Sequence, residues 1–140
     1  MKTIEEIQQE IIQEFELYDQ WLDKYEYLIE IGKTLPQMDN SLKTNENLIT
    51  GCQSNVWLHS YTKENKIFYL ADSDAIITKG IIALLIRVFS NQESSSIIES
   101  KDDFINKIGL KEQLSPTRAN GLLSMLKKIK LYALAFNSKE

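Results

Sequence analysis

Apolar residues recur at Ile4, Ile7, Ile11, Phe15 and Tyr18, a spacing that lays one apolar face along a first amphipathic helix. Thr3 with Glu6 forms a capping-box pair at its start. Asp19 can restart a second helix, with Trp21, Tyr25 and Leu28 on one face and Gly32 as its C-cap. These aromatics read as core. From Lys33 to Thr50 the pattern lapses into turn residues, among them Pro36, Asn40, Asn45 and Asn47, and predicts an irregular connection into a short strand at Leu48-Ile49. The period then drops to two. Val56 to Tyr61 and Lys66 to Leu70 predict strands, and the break at Lys63-Glu64-Asn65 suits a hairpin turn. His59 falls on the solvent side of that hairpin.

Asp72-Ser73-Asp74 offers helix N-caps, with acidic charge at the positive end of a helix dipole. The helix expected from Ala75 to Phe89 is apolar nearly all round, apart from a stripe of Lys79, Ala83 and Arg87, and so should be central. Ser94 to Glu99 and Asp102 to Ile108 read as short helices, the second ending at Gly109. Ser115-Pro116 is a strong start signal for a last helix, whose apolar face is Leu122, Leu126, Ile129, Ala133 and Phe136. Lys127, Lys128 and Lys130 lie off that face as a solvated surface. The fold class that follows is α+β: a small antiparallel sheet packed by several helices, in a single domain over residues 1–140.

Composition adds exclusions. The 140 residues carry a net charge of −4 with a pI near 5.1, which argues against a nucleic-acid binder. The longest apolar stretch, Gly80 to Ile86, is too short to cross a bilayer, and the N-terminus shows no secretory h-region. A cytoplasmic protein with no nucleic-acid or membrane partner is expected. One Cys and one His cannot build an intramolecular disulfide, a multi-Cys/His zinc site or a cluster held by the chain's own thiolates. No metal and no cofactor are expected.

The chemistry therefore centres on Cys52. Gly51 can take positive φ and leave the next side chain at a loop tip, just before a strand. A free cysteine is often an inert buried group, and only an exposed, electropositive setting makes it reactive. An enzyme reading, as a cysteine hydrolase or acyltransferase, pairs Cys52 with His59 as base. A continuous strand, however, puts the two on opposite faces and roughly 20 Å apart. Arg118 opposes the dipole in the first turn of the last helix at a cost of roughly 0.3–1 kcal/mol. Its side chain either curls into water or binds a carboxylate, a partner's acidic residue or an anionic sulfur species.

Three stretches carry a family resemblance: Gly51-Cys52-Gln53-Ser54 with Val56-Trp57, Asp72-Ser73-Asp74-Ala75 with Gly80, and Ser115-Pro116-Thr117-Arg118 with Gly121. In this order and spacing they resemble the SufE family, sulfur acceptors for cysteine desulfurases in iron–sulfur cluster assembly. Ala71 and Asn55 depart from the pattern, where glycine and glutamine are common. The resemblance implies a fold similar to the U-type Fe–S scaffold proteins, without their cluster ligands. It implies that Cys52 takes persulfide sulfur from a PLP-dependent desulfurase of the SufS type, stimulating it, and passes the sulfur to a scaffold complex of the SufBCD type. Gly51, Gln53, Asp74 and Arg118 become partner-binding or supporting residues, and monomer and homodimer both stay open. An allosteric desulfurase-binding module without covalent transfer is the alternative. No Lys, Arg or His stands beside Cys52 in sequence, so the thiol is expected to be shielded in the free protein against Val56, Trp57 or other apolar neighbours and activated only on docking.

Overall fold

In the computed structural model, which describes residues 2–138, helices α1 (Ile4–Glu16) and α2 (Trp21–Lys33) precede a hairpin of β1 (Val56–Lys63) and β2 (Lys66–Ser73). Helices α3 (Ile76–Phe89), α4 (Ser94–Glu99), α5 (Asp103–Lys107), α6 (Leu110–Gln113) and α7 (Pro116–Asn137) follow. The side chain at position 111 lies outside the description.

The two strands pair antiparallel from Val56 with Ser73 to Lys63 with Lys66. Glu64 and Asn65 both take positive φ, 54° and 65°, as a two-residue type I′ hairpin turn requires. Along β1 the positions Val56, Leu58 and Ser60 are buried, while Trp57 and His59 are half-buried on the other face. Leu48 bridges to Trp57, so the expected short strand is a single bridge on the outer edge of β1.

Helix α3 is central, as its near-uniform apolarity predicts. Ile82, Leu84, Leu85, Val88 and Phe89 are fully enclosed. The two cations of its polar stripe are both paired: Lys79 with Asp72 at 3.3 Å, and Arg87 in a two-pronged bond with Glu14. Ala83, between them, is buried.

Gly32 does not cap α2. The helix runs on to Lys33, with Thr34 at the C-cap. Gly32 is instead a close-packing position: a Cβ there would lie 2.9 Å from the Gly80 amide nitrogen, and one on Gly80 would lie 2.3 Å from the Leu28 carbonyl oxygen. The two glycines let α2 and α3 meet backbone to backbone.

Helix α2 opens one residue later than expected, with Gln20 at the N-cap and no side-chain cap. The acidic segment ahead of α3 also differs from the sequence expectation. β2 continues through Ser73, Ala75 is the N-cap, and no side chain caps it. Asp72 is buried beside the Lys43 and Lys79 ammonium groups, at 3.1 and 3.3 Å, and accepts from its neighbour's amide, Ser73 N. Burial alone pushes this carboxyl up. Lys43, the Ser73 amide and Lys79 outweigh it and leave the group below its ordinary value. Local capping lost to these tertiary partners.

The α7 signals hold: Ser115 accepts from the Arg118 amide, and Pro116 occupies the first turn. Lys130, expected in solvent, is half-buried, donates to the Ser100 carbonyl at 2.9 Å and faces Asp102. Lys127 is exposed, and Lys128 lies over the Tyr132 ring.

Candidate functional site

The loop from Gly51 to Asn55 enters β1 beneath the first turns of α7, and its position follows from the residues at its two ends. Gly51 has φ +92°, and a Cβ there would lie 2.6 Å from the Ser124 hydroxyl oxygen. Both the conformation and the approach to α7 exclude a side chain. At the far end, Asp74 accepts from the Asn55 amide at 3.1 Å and from its side-chain amide at 3.0 Å. The Asp74 amide donates back to the Asn55 carbonyl, and Ser73 Oγ donates to the same oxygen. Asp74 thus acts as a loop tether rather than a helix cap. Replacing Gly51 with alanine should cost about 1–3 kcal/mol in urea unfolding, as residues forced into such φ values do. Adding Ser124→Ala should relieve only the steric share.

Cys52 is half-buried in a pocket of about 270 Å³ lined also by Gln53, Ser54, Thr78, Ile81, Thr117, Arg118, Gly121 and Met125. Its thiol donates to the Gly121 carbonyl at 3.7 Å, and a Cβ on Gly121 would come within 3.3 Å of Sγ. Gly121 therefore gives α7 the space to lie against the cysteine. The thiol is shielded, as expected, but by α3 and α7. Neither Val56 nor Trp57 lines the pocket.

Burial pushes the Cys52 thiol above its ordinary pKa, and the Gly121 carbonyl suits the protonated form. Because the folded value is raised, the shielded thiol's contribution to stability is complete below the unfolded pKa. It is lost as pH climbs through the folded one. Alkylation of the free protein should accordingly be slower at neutral pH than alkylation of free cysteine, with a rate profile inflecting at higher pH. A profile matching free cysteine would refute the shielding.

The structure gathers Cys52, Gln53 and Arg118 around one cavity. Gly51 lies just behind them and Asp74 behind the loop, outside the lining. Arg118 is exposed, and its guanidinium faces no carboxylate among the described residues. His59 does not line the pocket, nor does any Asp or Glu among the described residues, so these residues do not form the cysteine-hydrolase arrangement of nucleophile, base and orienting group there. Sequence reasoning did not single out Thr78, Ile81 or Met125. The last two are apolar residues on mostly buried helix faces, with no local signal. Thr78 had one, a hydroxyl off the Lys79–Arg87 stripe of a helix that is apolar elsewhere.

Among the described residues no group of three or more His, Cys, Asp or Glu side chains could hold a metal ion, and no helix is long and apolar enough to cross a membrane.

The family model described as SufE, "Fe-S metabolism associated domain", matches residues 9–133. An uncharacterised SufE-like protein of Rhizobium meliloti is 42% identical over 127 residues, covering 86% of this chain and 90% of its own length. The "cysteine desulfuration protein SufE" of Wigglesworthia glossinidia brevipalpis is 34% identical over 131 residues, covering 92% and 91%. A chloroplastic/mitochondrial SufE-like protein of Arabidopsis thaliana is 39% identical across 99% of this chain, which spans 38% of that longer protein. In fold, the solution structure of a hypothetical protein from Thermus thermophilus superposes with a TM-score of 0.76 over 92% of this chain and 94% of its own, at 18% identity. The one cysteine at the mouth of a shielded pocket, the α+β fold and the family match over most of the sequence lead to one conclusion: this chain belongs to the SufE family.

Proposed function

We propose that Cys52 is a sulfur acceptor, taking the terminal sulfur of a persulfide from a PLP-dependent cysteine desulfurase and handing it to iron–sulfur cluster assembly machinery. The observation that carries this reading is the placement of the chain's single thiol: on a tethered loop, half-buried in a pocket whose described lining holds hydroxyls, an amide and a guanidinium but no His, Asp or Glu. Such a thiol has no hydrolytic machinery, but it can take part in thiol–persulfide exchange. Its thiolate attacks the partner's outer sulfur, and the partner's cysteine leaves as thiolate.

The resting geometry adds a requirement. Only a small fraction of a thiol with an ordinary pKa is thiolate at neutral pH, and this one is pushed higher still. Docking must break the contact to Gly121 and draw Cys52 outward. Asn55 stays anchored to Asp74 and Ser73, so the movement falls on the residues between it and Gly51. Gln53 and Arg118 are exposed and line the pocket, and to them we assign the contact with the partner.

The test is intact mass after incubation with desulfurase and cysteine. The protein is expected to gain the mass of one or more sulfur atoms, and Cys52→Ser is expected to gain none. If Cys52→Ser still stimulates the desulfurase fully and the wild-type protein never gains sulfur, the chain is an allosteric module and the acceptor reading falls.

A further inference from the structure

The Cys52 pocket holds more hydrogen-bond donors than the resting protein uses. Thr78 is 7% exposed and lines the pocket, yet its hydroxyl makes no hydrogen bond to any described residue. That oxygen is not sealed from solvent, so it is open to a hydrogen bond with whatever occupies the cavity. Among the described residues the hydroxyls of Ser54 and Thr117 in the same lining make no hydrogen bond, and the Arg118 guanidinium there meets no carboxylate. No acidic side chain lines the cavity among the described residues. The start of α7, with its partial positive charge, forms the same wall. At about 270 Å³ the space lies just below the range of roughly 300–1,000 Å³ usual for drug-sized ligands. Unbonded hydroxyls and a guanidinium around a small cavity, with no carboxylate among its described lining residues, suit a small oxyanion. A sulfur nucleophile sits on its wall.

We propose that this pocket binds thiosulfate and that Cys52 takes its outer sulfur directly, without a protein donor. The Cys52 thiol loses its proton to solvent, and the thiolate attacks the outer sulfur. The sulfur–sulfur bond of thiosulfate breaks, and sulfite leaves with the electron pair. One sulfur–sulfur bond replaces another, the total charge is unchanged, and no oxidant or reductant is consumed. Thr78, Ser54, Thr117 and Arg118 hold the sulfonate oxygens, which turns the outer sulfur toward Sγ. The reverse reaction lets sulfite unload the persulfide as thiosulfate. The inference rests on the reading of Cys52 as an acceptor and adds a second, small-molecule route to the same sulfur.

The experiment incubates the protein alone with thiosulfate and follows intact mass and released sulfite. The expected result is one added sulfur per chain and one sulfite per sulfur, absent in Cys52→Ser. Inorganic sulfate should compete. Thr78→Val and Arg118→Ala should each slow loading roughly tenfold, the worth of a hydrogen bond to a charged group, and Thr78→Ser should restore it. Arg118 is exposed, so its variant keeps the test valid should Thr78→Val fail to fold. No loading, or loading equally fast in both variants, overturns the proposal. A parallel sample receives desulfurase and cysteine. Sulfur gained there but not from thiosulfate refutes the oxyanion site and leaves the acceptor reading standing. Sulfur gained only from thiosulfate supports the site and refutes protein-to-protein transfer.

Discussion

Gly80→Ala is expected to destabilise the protein by about 3 kcal/mol, at the upper end of what overpacking a well-filled interior usually costs. The added methyl would lie 2.3 Å from the Leu28 carbonyl oxygen and 2.9 Å from its carbonyl carbon. Both are backbone atoms of a packed helix, so no side-chain rotation relieves the overlap. Helix α3 must move away from α2, and the tight approach of Gly32 to Gly80 one turn on would be lost with it. For a domain of this size that loss corresponds to a fall in Tm of roughly 10 °C. Urea unfolding gives the same quantity independently. An unchanged midpoint would mean the helices do not touch here. The effect should also reach the Cys52 site, because α3 carries Thr78 and Ile81 into the pocket.

That glycine contact shows where sequence reading works in this protein and where it stops. Signals that act within a few residues were legible: the Thr3 cap, the Ser115-Pro116 start, the two strands and the hairpin break. Near-uniform apolarity identified α3 as central for a direct physical reason, since a helix with no polar face must be covered. Features set by distant partners were not. Gly32 looks like a C-cap because glycine often ends helices, yet its constraint comes from Gly80 on another helix. Asp72 and Asp74 look like caps by composition, but two lysines and Asn55 claim their carboxylates. Lys130 looks solvated until Ser100 and Asp102 are placed beside it.

The candidate site divides the same way. Cys52 and its glycine stand out in the sequence because the chain has one thiol and a turn residue before it. The wall opposite, from Thr78 and Ile81 to Gly121 and Met125, comes from two helices whose register against the loop no local pattern encodes. Shielding was expected from Val56, Trp57 or other apolar neighbours, and the last of these supply it, Ile81 and Met125 on two helices, because β1 directs Val56 into the core and leaves α7 to cover the thiol.

Loss of Cys52 is expected to have the largest functional effect of any single substitution, since no second thiol exists to replace it. Serine keeps the size and the hydrogen bond to Gly121 but cannot form a persulfide at that position, so folding and docking should survive while transfer stops. The direct measurement supplies cysteine labelled with heavy sulfur to the desulfurase, isolates the SufE-family chain, and then adds the cluster-assembly acceptor. The account predicts label on Cys52 first, its departure as it appears in the acceptor, and no label in either place when Cys52 is serine. Label reaching the acceptor at the wild-type rate through the serine variant would contradict it.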